Sequence, residues 1–236
     1  MKQPLFPAKV RVLSGSMLKL IAVVTMMIDH IASHLVNRQF VLISFGGFDI
    51  TLYGLMRGIG RWAFPLFVFL MIEGFLHTRS RLRYGISLGL LALISEIPWN
   101  LVHSGTWFFG GQNVFFTLFF GYLGLCVLEN IKKLPVLKCA LLIALAMLTS
   151  VLWTDFAPHG FAFIILLYLV REHEIARPMT GFLLNNKWWV MPSFLIMSLY
   201  NGKRGFIKGA VLKYAFYAIY PLHLLVIYFI KYQPFA

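Results

Sequence analysis

Charge is what this 236-residue chain has least of: Asp, Glu, Lys and Arg make up only 12% of it, and just eight residues are acidic. A soluble domain carries about 25% charged residues and about 45–50% apolar ones. Here 60% of the residues are hydrophobic and the mean hydropathy is +0.79, which leaves too little polar surface to cover a water-soluble globule. Cysteine is nearly absent. Cys126 and Cys139 both fall in apolar stretches, which excludes a disulfide framework and a cysteine-rich metal centre. No linker tract, fixed-period repeat or low-complexity run divides the chain, so a single domain over 1–236 is expected. Also missing are a Gly-rich phosphate loop, H-E-x-x-H and G-x-S-x-G, which removes the common soluble-enzyme signatures.

What the chain does have is long apolar runs. About 20 residues cross the hydrocarbon core as a helix. Segments 17–36, 58–77, 84–103, 113–131, 136–153, 158–171, 185–200 and 210–231 predict an all-α, polytopic membrane bundle of about eight transmembrane helices. The first has no small-residue cleavage site and is expected to be retained. The stretch 38–57 is apolar but interrupted by Gly46, Gly47 and Asp49, which suits an interfacial or re-entrant piece.

The formal charge of +13 resides in the gaps between these runs, as in Arg79, Arg81 and Arg83 or Lys132 and Lys133. That is the pattern of cytoplasmic loops facing anionic lipid, and no soluble module is present to carry a nucleic-acid face. With eight crossings and the N-terminus inside, fourteen Lys and Arg, Lys2 and Lys231 among them, fall on the inner side. Seven fall outside: Arg38, Arg57, Arg61, Lys203, Arg204, Lys208 and Lys213. Both termini are therefore expected in the cytoplasm of a plasma-membrane protein, with the basic loop 201–208 as the exception.

Ionisable groups inside a span cost a few kcal/mol each, so they usually face a cavity and mark a site. Here they include Asp29, His30 and His34 in the first segment, Arg61, Glu73 and His77 in the second, and Glu96 and Asn100 in the third. Asn113 and Thr117 follow in the fourth and His223 in the last. Counting helical rise places His30, Arg61, Glu96, Asn113 and His223 where they could converge in one half of a bundle. By depth, Glu96 is the expected orienter of the His30 ring and Arg61 the expected partner of Asp29. Blander roles stand beside these: a packing histidine, a snorkelling Arg61, and a helix-end pair of Glu73 with His77. Gly58, Gly60, Gly121 and Gly124 suit close helix contact. Such a cluster serves either catalysis by a buried histidine or transport along a proton relay of Asp29, Glu96 and His223; a scaffold fixing helix register is the third possibility.

Six ordered motifs narrow the choice: MMIDHIA (26–32), GRWAFPLFVFLMIEGFLHTR (60–79), LISEIPWN (93–100), QNVFFT (112–117), YNGKRG (200–205) and FYAIYPLHLL (216–225). Together they resemble the TraX family, named for the pilin acetylase of conjugation, over nearly the whole chain. The Glu-Gly-Phe and Asn-Gly-Lys-Arg-Gly motifs are more similar to the family's widespread branch than to the plasmid enzyme. One departure is TDFAPHG (154–160), where the family often has an Asp-Tyr-Gly-type motif, so a role for Asp155 does not carry over. The resemblance implies an integral-membrane acetyltransferase that uses acetyl-CoA, without a metal, and a distant link to transmembrane acyltransferases with an essential histidine in an early helix. Carried onto this chain, His30 is the base and Arg61 the charge stabiliser, with Glu96 as orienter and Asp29, Asn113 and His223 as supporting groups. Arg79, Arg81, Arg83 and His77 are available for the donor's diphosphate. The expected partners are lipid, acetyl-CoA and a peptide or glycan acceptor.

Overall fold

The computed structural model describes residues 5–184 and 187–232. Lys2 and the first two residues of the predicted segment 185–200 lie outside the described residues. The described chain is overwhelmingly helical and resolves into two compact units, a middle unit of residues 68–184 with Leu5, and a terminal unit of residues 6–67 and 187–232.

In the terminal unit, α1 (Gly15–Leu35) leads into a short antiparallel hairpin, β1 (Val41–Phe45) with β2 (Phe48–Thr51). The stretch predicted as interfacial or re-entrant is thus a hairpin, turning at Gly46 and Gly47, whose positive φ values of 57° and 85° suit residues without a Cβ. Thr51 then caps α2 (Leu52–Gly60), accepting from Gly54 N–H at 3.0 Å. The second span therefore starts six residues earlier than expected. It tightens at Arg61 and Trp62 before continuing as α3 (Ala63–His77), because Pro65 has no N–H to offer the Arg61 carbonyl. Leu52–His77 remains one apolar stretch of span length.

The unit is completed by α8 (Lys187–Ser198) and α9 (Gly209–Tyr232). Between them, segment 199–207 folds over the start of α1. Leu13 N–H donates to the Leu199 carbonyl (3.0 Å), Gly15 N–H to Lys203 (2.8 Å) and Ser16 N–H to Arg204 (2.9 Å). The free N–H groups that open any helix are thus satisfied by loop carbonyls instead of water. Gly205, at φ 87°, lies against the Ser14 and Ser16 hydroxyls where a Cβ would collide.

This seam corrects the topology. The basic loop lies at the same end as the start of α1, so α1 and α9 run parallel, and their far ends lie together. The expectation that both termini share one side, which needs α1 and α9 antiparallel, is not met because the chain returns along α7 without a helix of span length: Arg171 lies at the end of α7, and Leu184, after the 3-10 segment, faces the same hollow as His159 at its start. Helix α8 then runs from Trp189, packed on Gly58, to the strand-like pairing beside Leu13, the height that α1 covers between its start and Asp29.

The middle unit holds the rest of α3, α4 (Arg81–Ser104), α5 (Val114–Asn130), α6 (Pro135–Val151), α7 (His159–Leu169) and a 3-10 segment over Arg177–Leu183. Each start has a local cause. Ser80 accepts from Arg83 N–H at 3.3 Å, Asn113 accepts from Phe115 N–H at 3.0 Å, and Pro135 occupies the first turn of α6. Helices α4 and α5 are antiparallel, with Gly85 against Tyr122 and the Tyr122 hydroxyl donating to the Arg81 carbonyl at 2.6 Å. A Cβ on Gly121 would overlap Ile164 of α7, as one on Gly60 would overlap Asp29, so the glycines foreseen as contact points do allow close approach.

Four stretches reach full span length, Gly15–Leu35, Leu52–His77, Arg81–Ser104 and Val211–Tyr232. Four shorter apolar helices occupy the other predicted segments. The chain is a helical multi-pass membrane protein.

Candidate functional site

The polar residues singled out above divide between the units. Asp29, His30, Arg61 and His223 belong to the terminal unit, whereas Glu96, Asn113, His77, Arg79, Arg81 and Arg83 belong to the middle one.

In the terminal unit, parallel α1 and α9 bring two histidines to one depth. His30 is fifteen residues beyond Gly15 and His223 fourteen beyond Gly209, each roughly 21–23 Å along its helix. His30 Nδ1 and His223 Nε2 are 2.6 Å apart, with ring planes 8° from parallel. The other nitrogen of His223, Nδ1, is 2.9 Å from the Ile219 carbonyl. A carbonyl only accepts, so His223 Nδ1 carries the hydrogen. In a neutral pair, His223 Nε2 then accepts from His30 Nδ1–H, and the lone pair of His30 resides on Nε2. One backbone carbonyl thereby sets the tautomers of both rings. Tyr220, one turn before His223, meets both rings edge-on, with centroids 5.9 and 5.5 Å away, and is itself buried.

One residue before His30, Asp29 forms an ion pair with Arg57. Both side chains are largely buried, at 17% and 22% exposure. The expected partner was Arg61, which lies one turn along the same face and acts on this carboxylate electrostatically. The direct contact goes to Arg57 because α2 begins early enough to carry it and Gly60 leaves room for the Asp29 side chain beneath. Arg57 and Tyr220 are the residues that sequence reasoning missed. The i, i+4 spacing of Arg57 and Arg61 and the i, i+3 spacing of Tyr220 and His223 were the available signals.

In the middle unit, fully buried Asn113 joins α4 to α5. Its amide Nδ2 donates to Glu96 Oε2 at 2.6 Å and to the Ala92 carbonyl at 2.9 Å, and its Oδ1 caps α5. Glu96 Oε2 also accepts from Asn113 N–H at 3.4 Å, while Oε1 is buried without a partner among the described residues. Asn100 donates to the Trp107 carbonyl at 2.8 Å. The Thr117 hydroxyl donates to the Asp155 carbonyl, and Asp155 N–H to the Gln112 carbonyl at 2.9 Å. Glu96, expected to orient His30, is thus held by Asn113, and the group against His30 Nδ1 is His223.

At the opposite end of this unit, His77 pairs with Glu73 at 3.8 Å and is 74% exposed. The side chains of Arg79, Arg81 and Arg83 are exposed beside it, with the Arg81 guanidinium 4.4 Å from the centre of the Phe75 ring.

Comparison with known proteins agrees with the motif pattern. The family model described as TraX protein matches residues 14–231. The probable fimbrial assembly protein FimC, serogroup H1, of Dichelobacter nodosus is 26% identical over 245 residues, spanning 89% of this chain and 93% of its own length. No solved structure matches. With the family match running from the cap of α1 almost to the end of α9, the chain belongs to the TraX family.

Proposed function

We infer that this protein is an integral-membrane acetyltransferase that moves an acetyl group from acetyl-CoA to an exported or membrane-associated acceptor. The observation that carries this reading is the His30–His223 pair. It presents one imidazole lone pair, on His30 Nε2, inside a membrane helix, and holds the ring in that tautomer from behind. Imidazole titrates near neutrality, as acyl transfer to an amine or hydroxyl requires of its base. His30 Nε2 takes the acceptor's proton as the acceptor attacks the thioester carbonyl. The tetrahedral intermediate then collapses, breaking the carbon–sulfur bond, and the departing thiolate recovers that proton. His223 performs the orienting role at first expected of Glu96. Arg61 stabilises the oxyanion, while the Asp29–Arg57 pair fixes the helix face that carries it.

In this reading the donor's diphosphate is met by the exposed cations Arg79, Arg81 and Arg83, with His77, at one end of the middle unit. Clustered Lys and Arg mark the cytoplasmic side, where acetyl-CoA resides, and the start of α1 belongs to that side by the same rule. The relative's name, a fimbrial assembly protein, supports an acceptor among pilin-like peptides or other surface molecules.

The test is purified protein in lipid nanodiscs with radiolabelled acetyl-CoA and peptide acceptors. Label transfers with the parental protein and is lost with His30→Ala. Transfer by His30→Ala at the parental rate would remove the assignment. Solute flux in proteoliposomes without acetyl-CoA turnover would replace it with a transporter.

A further inference from the structure

At the start of the parallel pair α1–α9, three cations come together that the acetyl-transfer scheme does not use. Lys19 is four residues into α1 and Lys213 four residues into α9, each roughly 6 Å along its helix. Both are half-buried. The loop 199–207 between α8 and α9 adds Arg204. Its carbonyl accepts from the Ser16 N–H and from the Ser16 hydroxyl, each at 2.9 Å, and Ile207 N–H donates to that hydroxyl at 2.8 Å. The loop is therefore tied to α1 one turn before Lys19. Arg204 and Lys213 both act on the Lys19 ammonium electrostatically. Lys213 is in turn positioned by two rings, its Nζ 5.3 Å from the centre of Tyr214 and 5.4 Å from that of Tyr217.

No carboxylate of the terminal unit answers this charge. Residues 5–28 and 187–232 contain no Asp or Glu. Asp29 is ten residues further along α1 and paired with Arg57. Asp49 belongs to the hairpin, where it accepts from the Ser44 hydroxyl at 2.6 Å. In the middle unit Glu73, Glu129, Glu172 and Glu174 have partners of their own in His77, the Tyr168 hydroxyl, Arg171 and Leu5 N–H. No hydrogen bond or ion pair holds the Lys19 ammonium among the described residues.

Snorkelling accounts for a single lysine near a helix start, whose stem lies along apolar surface while its head reaches the interface. It does not account for a second cation on a loop bonded through its backbone to the same helix, or for a third at the same level of the neighbouring helix. Like charges held together repel, and a bound anion relieves that repulsion. Basic pockets between membrane helices hold the phosphates of anionic lipids in this way. The helix surfaces beside the cations suit such a ligand: Met17 and Leu20 of α1 and Val211 and Leu212 of α9 are exposed, an apolar surface for acyl chains.

We propose that Lys19, Arg204 and Lys213 form a phosphate-binding site for an anionic ligand at the start of the α1–α9 pair. The exposed apolar surface beside it favours a phospholipid headgroup as that ligand. The donor's diphosphate presents the same chemistry, and the experiment separates the two sources. The site is distinct from the His30–His223 pair, which is roughly 15–17 Å further along the same two helices.

Binding is measured by native mass spectrometry of the full chain in maltoside micelles, titrated with phosphatidylglycerol or with phosphatidylcholine of the same acyl chains. Expected is one saturable phosphatidylglycerol site, with phosphatidylcholine bound about tenfold more weakly or not at all. Lys19→Gln and Arg204→Gln each weaken phosphatidylglycerol binding about fivefold, the contribution of one cation beside an anionic headgroup, and Lys19→Arg retains it. The double variant Lys132→Gln/Lys133→Gln, which removes two exposed cations elsewhere, leaves binding unchanged. Coenzyme A added to the same micelles displaces phosphatidylglycerol if the source is the donor and leaves it bound if the source is lipid; phosphate binding by the three cations underlies both.

Equal affinity for the two lipids overturns the proposal. So does unchanged binding in Lys19→Gln and Arg204→Gln protein of parental thermal stability, or an equal loss in the Lys132→Gln/Lys133→Gln variant. This site and the acetyl-transfer reading fail separately. Phosphatidylglycerol binding by a parental protein that transfers no acetyl group retains the site and removes the transferase. Acetyl transfer by a parental protein without the lipid preference retains the transferase and removes the site.

Discussion

The two units carry polar groups among apolar helices in different ways. The terminal unit holds two ionic or imidazole pairs, Asp29 with Arg57 and His30 with His223. In the middle unit the Glu96 carboxylate is tied into amide and backbone groups by Asn113, and threonines complete the seam at Thr117 and Thr154. A buried ion pair gives a weak net stability return, yet its members cannot be removed one at a time without stranding a charge. An amide network asks less of its surroundings and is satisfied locally. The terminal unit is therefore organised around proton- and charge-bearing groups, the middle unit around holding helices together and shaping a cavity.

That contrast can be broken experimentally. The largest effect is on activity: His30→Ala lowers acetyl transfer by about 10²–10⁴-fold, the usual contribution of a general base. Steady-state rates in nanodiscs read this out, and Glu96→Ala falling further than His30→Ala would reverse the roles of the two units. Next, Arg57→Ala strands Asp29 and destabilises by about 3–5 kcal/mol, while the double variant Asp29→Asn/Arg57→Gln recovers most of that loss. Thermal unfolding monitored by tryptophan fluorescence measures both, and no recovery in the double variant would remove the ion pair as the cause. Gly205→Ala comes third, at about 1–3 kcal/mol, since its left-handed backbone and the Ser14 and Ser16 hydroxyls both oppose a Cβ. The same melts test whether the seam on α1 is structural. Smallest is Glu96→Gln, at about 1 kcal/mol, because a neutral amide still accepts from Asn113 through its carbonyl oxygen. A loss matching that of Arg57→Ala would show that the middle unit also depends on buried charge.

Much of this was legible in the residues. Apolar run length located the helices and the ionisable residues within them, but these were grouped as one cluster with Glu96 assigned to His30. The Asn113–Glu96 contact, which joins the motifs LISEIPWN and QNVFFT across one connection, was not foreseen, since depth assigned Glu96 to His30. The hairpin at 41–51 was illegible as such because its residues are as apolar as a span and strand alternation is weak there. Pairing by depth also failed for Asp29. Rise along a helix gives height but not azimuth, and Arg57 and Arg61 share a face within one turn. The parallel run of α1 and α9 was hidden because hydropathy does not reveal the 3-10 return along α7 between Arg171 and Leu184.

Composition alone determined that this chain is a helical membrane protein, since unsatisfied backbone groups are too costly in lipid for an apolar chain to span it as open strand or coil. The residues by themselves also located the ionisable groups to be explained. Which of those groups meet was decided by tertiary structure. A loop bonding to the start of α1 turned α9 parallel to it, and only then did His30 and His223 reach one height, with the Ile219 carbonyl setting which nitrogen carries the lone pair. Contacts between distant segments depend on packing direction and hydrogen-bond closure, and neither is written in local periodicity.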